Sequence, residues 1–297
     1  MATIGIVIVN FNAGEHLARC LGSLDEGLGG HQWAAAVVDN ASADGSAEFA
    51  LGRPGVELVR SNANVGFARA VNLGTSHVTG ELLLLVNPDC RLTLGCVDPL
   101  VEELATHPSC GIAAPAVVNE AGLPDGNARG DPSMLTGLFG RSSLLRRLMP
   151  RAGLARRNVV LPSGLPPGSV SDEVDWVAGS CALMRRKAFD AVGGFDERYF
   201  LYWEDADLCR RLRTAGWRVR FRTDAVVVHA GGCSARGSPK LATREFHRSA
   251  YLYYTTHVAR SPWDPRRGAA AILLGVRQLV VGSRSPARET RPDQRGR

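Results

Sequence analysis

Residues 81–91, with the sequence ELLLLVNPDCR, decide the fold. The unbroken apolar run Leu82–Val86 predicts a strand that is buried on both faces of a sheet. Because Pro88 has no N–H to donate to a ladder, the strand ends there and Asp89 lies at its carboxyl end. Open α/β sheets bind their ligands at that edge, so Asp89 is a candidate metal or substrate ligand. The alternative is an aspartate in a surface turn.

Three earlier apolar runs are also followed by polar loops. Strands are predicted at residues 3–9, 34–38 and 56–60, and helices at 15–24, 46–50 and 68–77. Strands that alternate with helices are typical of βαβ units. With the run that ends at Val86, they predict an α/β fold with a Rossmann-like, mostly parallel central sheet and helices on both faces.

The pattern is less regular downstream. Helices are predicted at 95–106, 204–215, 241–258 and 268–281, and strands at 111–114, 217–221 and 225–228. Residues 117–172 are rich in Gly, Pro, Arg and Ser and predict a long variable loop without a clear strand. We therefore expect a main α/β domain over 1–235, a C-terminal helical extension over 236–282 and a disordered basic tail over 283–297.

Charge leaves several classes of partner open. The 297-residue chain has a formal charge of +6, which suits nucleic acid, anionic lipid or phosphorylated substrates. Within residues 138–157, six arginines lie among Leu, Phe and Met side chains. That segment is either an amphipathic patch for a membrane surface or a solvated loop.

Cysteine usage and hydropathy bear on location. The seven cysteines form no C-x-x-C pair, which is typical of free thiols in a reducing compartment. The N-terminus has no basic region before its apolar run, and no run approaches the roughly 20 apolar residues that span a bilayer. We expect a cytoplasmic protein, with peripheral contact to the inner face of the cell membrane as a further hypothesis.

Four polar clusters directly follow predicted strands. They are residues 10–12, 39–40, 62–66 and 87–89. Because the carboxyl ends of parallel strands meet at one edge, these clusters are expected to line one cleft, where helix N-termini offer N–H groups to phosphates. The chain has no Gly-Lys-Ser/Thr phosphate loop in the required place and no G-x-G-x-x-G after the first strand. These absences argue against a P-loop enzyme and an NAD-type site.

A second group of candidate residues begins at Glu204, Asp205 and Asp207. Carboxylates in a first helical turn are favoured by the helix dipole, so capping alone accounts for such a turn. Four aromatic residues precede it: Tyr199, Phe200, Tyr202 and Trp203. Aromatic surfaces beside carboxylates suit sugar binding and raise a carboxyl pKa by desolvation. His229, which follows a run of valines, is either structural or the partner of Asp89 in a metal site.

Together these motifs resemble the family 2 inverting glycosyltransferases of GT-A fold, and most closely the bacterial rhamnosyltransferases that act on polyprenyl-diphosphate-linked sugars. The resemblance covers about residues 3–234, in the family's order. It rests on VNFN (9–12), VVDNASADGS (37–46), NANVGFA (62–68), NPD (87–89), GGFDE (193–197), EDADL (204–208) and HAGG (229–232). The NPD triplet departs from the family's usual D-x-D, which leaves Asp89 as the one carboxylate of that motif.

The resemblance implies a role for each motif. Asp205 is the general base, and Asp89 with His229 holds Mg2+ or Mn2+ on the diphosphate. Contacts to the nucleotide sugar are implied for Asn12, Asp39, Asn64, Arg69 and Asn87. Contacts to the acceptor are expected from Trp203 and Glu204.

The implied activity is metal-dependent transfer of a sugar, by resemblance L-rhamnose from dTDP-rhamnose, to a hydroxyl of a glycan or polyprenyl-diphosphate-linked acceptor in cell-wall or surface polysaccharide synthesis. The chemistry agrees, because a cation neutralises the leaving diphosphate and one base takes the acceptor proton. The alternatives are a galactofuranosyl or other hexosyl transferase, a sugar nucleotidyltransferase and an inactive nucleotide-binding protein. A nucleotidyltransferase requires a Gly-rich phosphate loop with Arg and Lys, which residues 10–15 lack. No nucleic-acid partner is expected.

Overall fold

The computed structural model describes residues 1–131, 169–231 and 239–283. These ranges form a nine-stranded sheet, a separate two-stranded sheet and eight α-helices. The predicted patch at 138–157 and the predicted tail beyond residue 283 lie outside the described residues.

The first half of the large sheet is parallel. Its elements in chain order are β1 (Thr3–Asn10), α1 (Glu15–Gly22), α2 (Leu24–Leu28), β2 (Gln32–Asp39), a 3-10 helix (Ser46–Ala50), β3 (Val56–Arg60), α3 (Phe67–Ser76) and β4 (Leu82–Val86). The strands pair in the order β3-β2-β1-β4, all in the same direction. Asn10 pairs with Asp39, so the carboxyl ends of β1 and β2 are level and the polar loops that follow them lie side by side.

The second half of the sheet is mixed. Its elements are β5 (Cys90–Leu92), α4 (Asp98–Thr106), β6 (Cys110–Val118), β7 (Ala128–Arg129), β8 (Ser171–Glu173), β9 (Trp176–Val177), β10 (Cys181–Arg185), α5 (Arg186–Ala191), α6 (Glu204–Thr214), β11 (Arg218–His229), α7 (Pro239–His257) and α8 (Arg266–Ser283). Strand β10 runs antiparallel between β4 and β6, and β11 joins β6 in parallel and β5 and β8 in antiparallel. Strands β6 and β11 run in the same direction as β1–β4, and only β5, β8 and β10 run against them, so the sheet is mostly parallel as predicted.

Helices cover both faces of the sheet, and each face has its own apolar core. One core packs α1, α2 and α4 against Ile4, Ile6 and Ile8. The opposite core packs α3, α5 and α6 against Val7 and Val9. This division follows the two-residue period of a strand, in which successive side chains point to opposite faces. The predicted α/β architecture with helices on both faces is therefore confirmed.

Three local predictions require correction. Strand β5 was not expected, because three residues are too few to show a periodicity. The two strands predicted at 217–221 and 225–228 are one strand, β11, with an irregular register between Arg222 and Val226. The loop predicted over 117–172 contains β7 and the start of β8, which are short strands that pair with β9 and β11.

The C-terminal helices pack onto the α/β unit and onto each other. Tyr253 of α7 clusters with Tyr199 and Ala206 of the main domain. Ala270 of α8 is buried against Tyr254 of α7. Within the three described ranges, no helix has both the length and the apolar character needed to cross a membrane. The six cysteines in these ranges are all buried free thiols.

Candidate functional site

Asp89 and His229 are neighbours at the carboxyl edge of the sheet. The antiparallel pairing of β5 with β11 sets Cys90 opposite His229, and the backbone N–H of Ala230 donates to the Asp89 carbonyl at 3.0 Å. His229 Nε2 lies 3.1 Å from Asp89 Oδ1. The two side chains are held by strand register, which is a rigid way to fix a pair of ligands.

Asp125 flanks the other side of His229. Its Oδ2 lies 3.5 Å from His229 Nδ1. Burial alone would lower the pKa of His229, but hydrogen bonding to the Asp125 and Asp89 carboxylates outweighs it and raises the pKa to about 9. A ligating histidine commonly points its second ring nitrogen at a carboxylate, so Asp125 occupies the position of an orienting group.

The donor atoms around Asp89 suit a divalent cation. Ligand atoms of Asp89, Cys90 and His229 all lie within 4.8 Å of one another. Burial raises the pKa of the Cys90 thiol well above its usual value, and its Sγ donates to the Ser180 carbonyl at 3.3 Å, so it remains a protonated thiol. Asn87 Oδ1 is buried and has no hydrogen-bond partner among the described residues. Carboxylate, imidazole and amide oxygen together are ligands that fit Mn2+ or Mg2+.

A cavity of about 220 Å3 opens beside Asp89. Its lining includes His16 and Arg19 of α1 and Arg91 of β5. The lining also contains the carboxylates of Asp89 and Glu120, so basic and acidic groups share this cavity. The sequence motifs did not single out His16, Arg19 or Arg91, because these residues lie outside the polar loops.

Residues Gly179 and Ser180, here called the bridging segment, join Asp89 to the second wall of the site. The Ser180 carbonyl accepts the Asn87 N–H at 2.8 Å, which continues the β4–β10 ladder past Val86. The Gly179 N–H donates to Asp205 Oδ2 at 3.0 Å. Two adjacent backbone groups therefore hold the turn that contains Asp89 and the carboxylate of Asp205 in one frame.

Asp205 is the accessible carboxylate of α6. It is partly exposed, and each of its oxygens accepts one backbone N–H, from Gly179 at 3.0 Å and from Ala206 at 2.8 Å. Each oxygen retains a lone pair beyond that bond. Burial raises the pKa of the Asp205 carboxyl, and the backbone hydrogen bonds oppose that rise. An oriented carboxylate with a raised pKa is suited to accept a proton.

Asp207, by contrast, is structural. Its side chain is 0% exposed. Arg211 Nε lies 2.7 Å from Asp207 Oδ2, and His257 Nε2 lies 2.6 Å from Oδ1. Breaking such a buried pair costs about 3–5 kcal/mol, so Asp207 anchors α6 to α7 and is closed to a substrate.

Glu204 shares a titration with Asp205. It is buried, and its Oε2 has no hydrogen-bond partner within the described part of the chain. Burial, together with the nearby Asp205 charge, raises the pKa of Glu204 well above its ordinary value. Two close carboxyls favour a single proton, and the more strongly raised one retains it. Burial therefore favours the neutral form of Glu204 more strongly than that of Asp205.

The turn that leads into these carboxyls contains two residues with strained backbone. The aromatic turn, residues 199–203, ends with Tyr202 at φ 67° and Trp203 at φ 71°. Left-handed conformations cost non-glycine residues about 1–2 kcal/mol each. The turn is held by Phe67 N–H, which donates to the Phe200 carbonyl at 2.7 Å, and Gly66 allows this approach because a Cβ there would lie 2.6 Å from that carbonyl.

Trp203 packs against the C-terminal extension. Its ring centroid lies 5.3 Å from that of Tyr253 and 5.8 Å from that of Phe246. Its Nε1 is buried and has no hydrogen-bond partner in residues 1–131, 169–231 and 239–283. Trp203 Nε1 and Glu204 Oε2 are therefore two buried polar atoms, close to Asp205 in the chain, whose hydrogen-bonding capacity the described residues leave unused.

The loops after β1 and β2 form one hydrogen-bonded network. Asn10 Nδ2 lies 3.0 Å from Asp39 Oδ1 and 3.1 Å from Ser42 Oγ. Asn12 has φ 52°, and its Oδ1 accepts the Ala43 N–H at 2.8 Å. Asn12 and Asp39 are thus brought together, and the Asn12 side-chain oxygen is already used to shape the loop.

Asn64 and Arg69 extend this surface toward the aromatic turn. Asn64 Oδ1 accepts hydrogen bonds from Asn40 Nδ2 and the Gly66 N–H, both at 3.0 Å. Arg69 is more exposed, and its Nε lies 3.7 Å from Glu197 Oε2. All ten predicted site residues are therefore close to the carboxyl edge of β1–β4 or in the segments packed on it, and their individual roles stay predictions.

Several residues of the site were missed from the sequence. Asp125 lies in the aperiodic stretch after β6, where one aspartate among many polar residues gives no signal. The bridging segment acts through backbone atoms, which leave no side-chain signature except a Gly-Ser break in an apolar run. Asn10 and Asn40 lie inside recognised motifs, and their packing role was hidden by their polarity.

Two family models and several known proteins match this chain. The family model described as glycosyl transferase family 2 matches residues 5–193, and one described as glycosyl transferase family group 2 matches residues 167–244. The N-acetylglucosaminyl-diphospho-decaprenol L-rhamnosyltransferase of Mycobacterium tuberculosis (strain CDC 1551 / Oshkosh) is 33% identical over 264 residues, which cover 84% of this chain and 82% of that protein. The rhamnosyltransferase WbbL of Escherichia coli (strain K12) is 40% identical over 80 residues, which cover 27% of this chain and 30% of that protein.

A solved structure is similar over nearly the whole chain. The mannosyltransferase PcManGT from Pyrobaculum calidifontis, in complex with GDP-Man and Mn2+, aligns with a TM-score of 0.56 and 16% identity over 96% of this chain and 76% of its own. At this identity the similarity shows the fold, and the predicted GT-A architecture is confirmed. With a family model over more than half of its length and a relative at 33% identity over most of both sequences, the chain belongs to glycosyl transferase family 2 and is a glycosyltransferase.

Proposed function

We propose that the protein transfers L-rhamnose from dTDP-rhamnose to a hydroxyl of a polyprenyl-diphosphate-linked sugar, with inversion, in cell-wall or surface polysaccharide synthesis. The observation behind this proposal is the bridging segment, which fixes the Asp89–His229 pair and the Asp205 carboxylate at one sheet edge. The mycobacterial relative's name supports the choice of sugar and of lipid-linked acceptor.

The donor is proposed to lie across the loops that follow β1, β2 and β3. Asn12, Asp39 and Asn64 would contact the nucleoside, and Arg69 and Asn87 the diphosphate or base. The network from Asn10 through Asp39 supports this placement, because it pre-organises the loop backbones before a nucleotide arrives. The two arginines in the lining of the cavity beside Asp89, Arg19 and Arg91, support a diphosphate at the same edge.

Asp89 and His229 are proposed to hold Mn2+ or Mg2+ at the diphosphate. A bound divalent cation would neutralise the charge that develops on the leaving diphosphate. His229 can present Nε2 in this role while Asp125 orients its Nδ1 side. Asn87 Oδ1, buried without a partner among the described residues, is available on the same turn.

Asp205 is proposed as the general base and Glu204 with Trp203 as acceptor contacts. Burial raises the pKa of Glu204 and so favours its neutral form, which would donate a hydrogen bond to a sugar hydroxyl through Oε2, an atom with no partner among the described residues. The ionised Asp205 can then take the proton of the attacking hydroxyl. A single base is sufficient for inversion, because no covalent sugar–enzyme intermediate forms.

A donor screen tests the proposed sugar. The protein is incubated with dTDP-rhamnose, UDP-galactofuranose and UDP-glucose, an N-acetylglucosaminyl-diphospho-lipid acceptor, and either MnCl2 or EDTA. We expect transfer from dTDP-rhamnose with MnCl2 and its loss with EDTA, measured by mass spectrometry of the lipid product. Transfer of galactofuranose or glucose instead would replace the donor assignment, and binding without any turnover would favour the inactive nucleotide-binding alternative.

Asp205→Asn tests the base. The amide is nearly isosteric but cannot accept the proton, so we expect transfer to fall about 10²–10⁴-fold while donor binding stays near wild type. The wild-type rate should rise with pH as Asp205 loses its proton, with an acid limb above the ordinary aspartate pKa, and the variant should lack that limb. Rates and dTDP affinity are measured by steady-state kinetics and calorimetry.

Asp207→Asn is the matched comparison within the same helical turn. It should lower the melting temperature, because Arg211 loses its buried partner, yet folded protein should keep more transfer activity than Asp205→Asn. An active Asp205→Asn beside an inactive but folded Glu204→Gln would move the base to Glu204.

Asp89→Asn tests the cation site. Removing one charged ligand should lower transfer by about 10²–10³-fold and abolish the Mn2+ dependence of dTDP binding, measured by calorimetry with and without MnCl2. Asp190→Asn, an exposed aspartate at the end of α5, serves as the control and should change neither quantity. Unchanged Mn2+ dependence in Asp89→Asn would show that Asp89 is not a ligand.

A further inference from the structure

Helix α8 presents an apolar face to solvent. Ile272, Val276 and Leu279 follow one another at helical spacing and are 71%, 55% and 76% exposed. Leu273 and Val280 widen this stripe and are also exposed. We call these five residues the outer face of α8. A surface helix of a globular protein normally buries such an apolar stripe against the core, whereas α8 exposes it to solvent.

The side of α8 that contacts α7 is formed by small and cationic residues. Ala270 is buried against Tyr254 and Ala259. Arg277, the cation within the apolar stretch, lies with its guanidinium 5.3 Å from the Phe246 ring centroid, so it is turned onto α7. Helix α8 contains no acidic residue. Its contact with α7 therefore uses small and cationic groups and leaves the bulky aliphatic ones outside.

Basic and interfacial residues border the outer face. Trp263, in the α7–α8 connection, is 92% exposed. Arg266, which is ion-paired with Asp264, and Arg267 begin the helix. In the sequence that follows it, residues 284–297 contain five arginines against one glutamate and one aspartate. An exposed tryptophan beside arginines and an aliphatic stripe is the composition of helices that lie in a membrane interface.

We propose that the outer face of α8 docks onto an anionic lipid bilayer, with the helix lying in the plane of the surface. Charge complementarity favours lipid over a second copy of this chain, because a two-fold pairing of α8 would bring two sets of arginines together. An anionic surface attracts the same arginines while the aliphatic side chains enter the headgroup boundary.

The docking helix is mechanically connected to the site. Helix α7 lies between α8 and the aromatic turn, with Tyr253 against Trp203 and His257 Nε2 2.6 Å from Asp207. Docking would therefore hold the Asp205 wall at a fixed height above the bilayer. The use of that geometry for a lipid-linked acceptor rests on the proposed function, whereas membrane binding itself does not.

Vesicle co-sedimentation of the full chain without nucleotide sugar tests this proposal. We expect binding to vesicles of phosphatidylcholine with phosphatidylglycerol, weakening as NaCl rises, and little binding to phosphatidylcholine alone. The double variant Val276→Asp/Leu279→Asp should reduce binding by about tenfold or more, because two inserted side chains are lost. Leu94→Asp, at an 83% exposed leucine in the loop after β5, is the control and should bind as wild type.

The outcomes separate this proposal from the proposed function. Binding by the double variant equal to wild type, or no binding to either vesicle, would overturn it. So would a wild-type dimer in sedimentation velocity that the double variant converts to a monomer, because the outer face would then be a contact between copies. The double variant should keep transfer to a short-chain, water-soluble acceptor. Absence of that transfer by the wild type would count against the proposed function and would leave the membrane proposal unaffected.

Discussion

The backbone hydrogen bonds of Gly179 and Ser180 are the constraint on which the rest of the site depends. The Ser180 carbonyl extends the pairing of β4 with β10 to Asn87, and the adjacent Gly179 N–H fixes Asp205. The turn that contains Asp89, the proposed cation ligand, and the carboxylate of Asp205, the proposed base, are thus tied to consecutive residues just before β10. The sheet therefore determines how far apart these two groups lie, and catalysis by positioned groups requires such a fixed separation.

Buried charged residues stabilise the second wall of the site, which contains Asp205. Asp207 is enclosed by Arg211 and His257, and the left-handed Tyr202 and Trp203 are held over Gly66. The cost of the strained turn is offset by these contacts and by aromatic packing from α7. The C-terminal helices are thus a structural part of the site and not a separate appendage, which also connects the apolar outer face of α8 to the carboxylates.

Much of the fold could be predicted from the sequence, because β1 and β4 are long apolar runs closed by polar loops. Which carboxylate of α6 is buried could not be predicted from the sequence. Helical spacing places Asp205 and Asp207 on different sides of the helix, but it does not show which side packs against the core. The pairing of Asp89 with His229 was implied by the family resemblance, whereas the register that produces it depends on β5, a three-residue strand without periodicity. Asp125 comes from an aperiodic stretch, and only tertiary structure brings it to His229.

In the proposed mechanism, Asp205 takes the proton of the acceptor hydroxyl, whose oxygen attacks the sugar carbon and displaces the diphosphate in a single step. The measurement that tests this step is the anomeric configuration of the transferred sugar, determined by NMR of the product and compared with that of the nucleotide-sugar donor. We predict inversion, because the hydroxyl would attack the face opposite the leaving diphosphate. Retention of configuration would contradict this mechanism, because two successive displacements require a nucleophilic side chain, and we assign that role to no residue of the site.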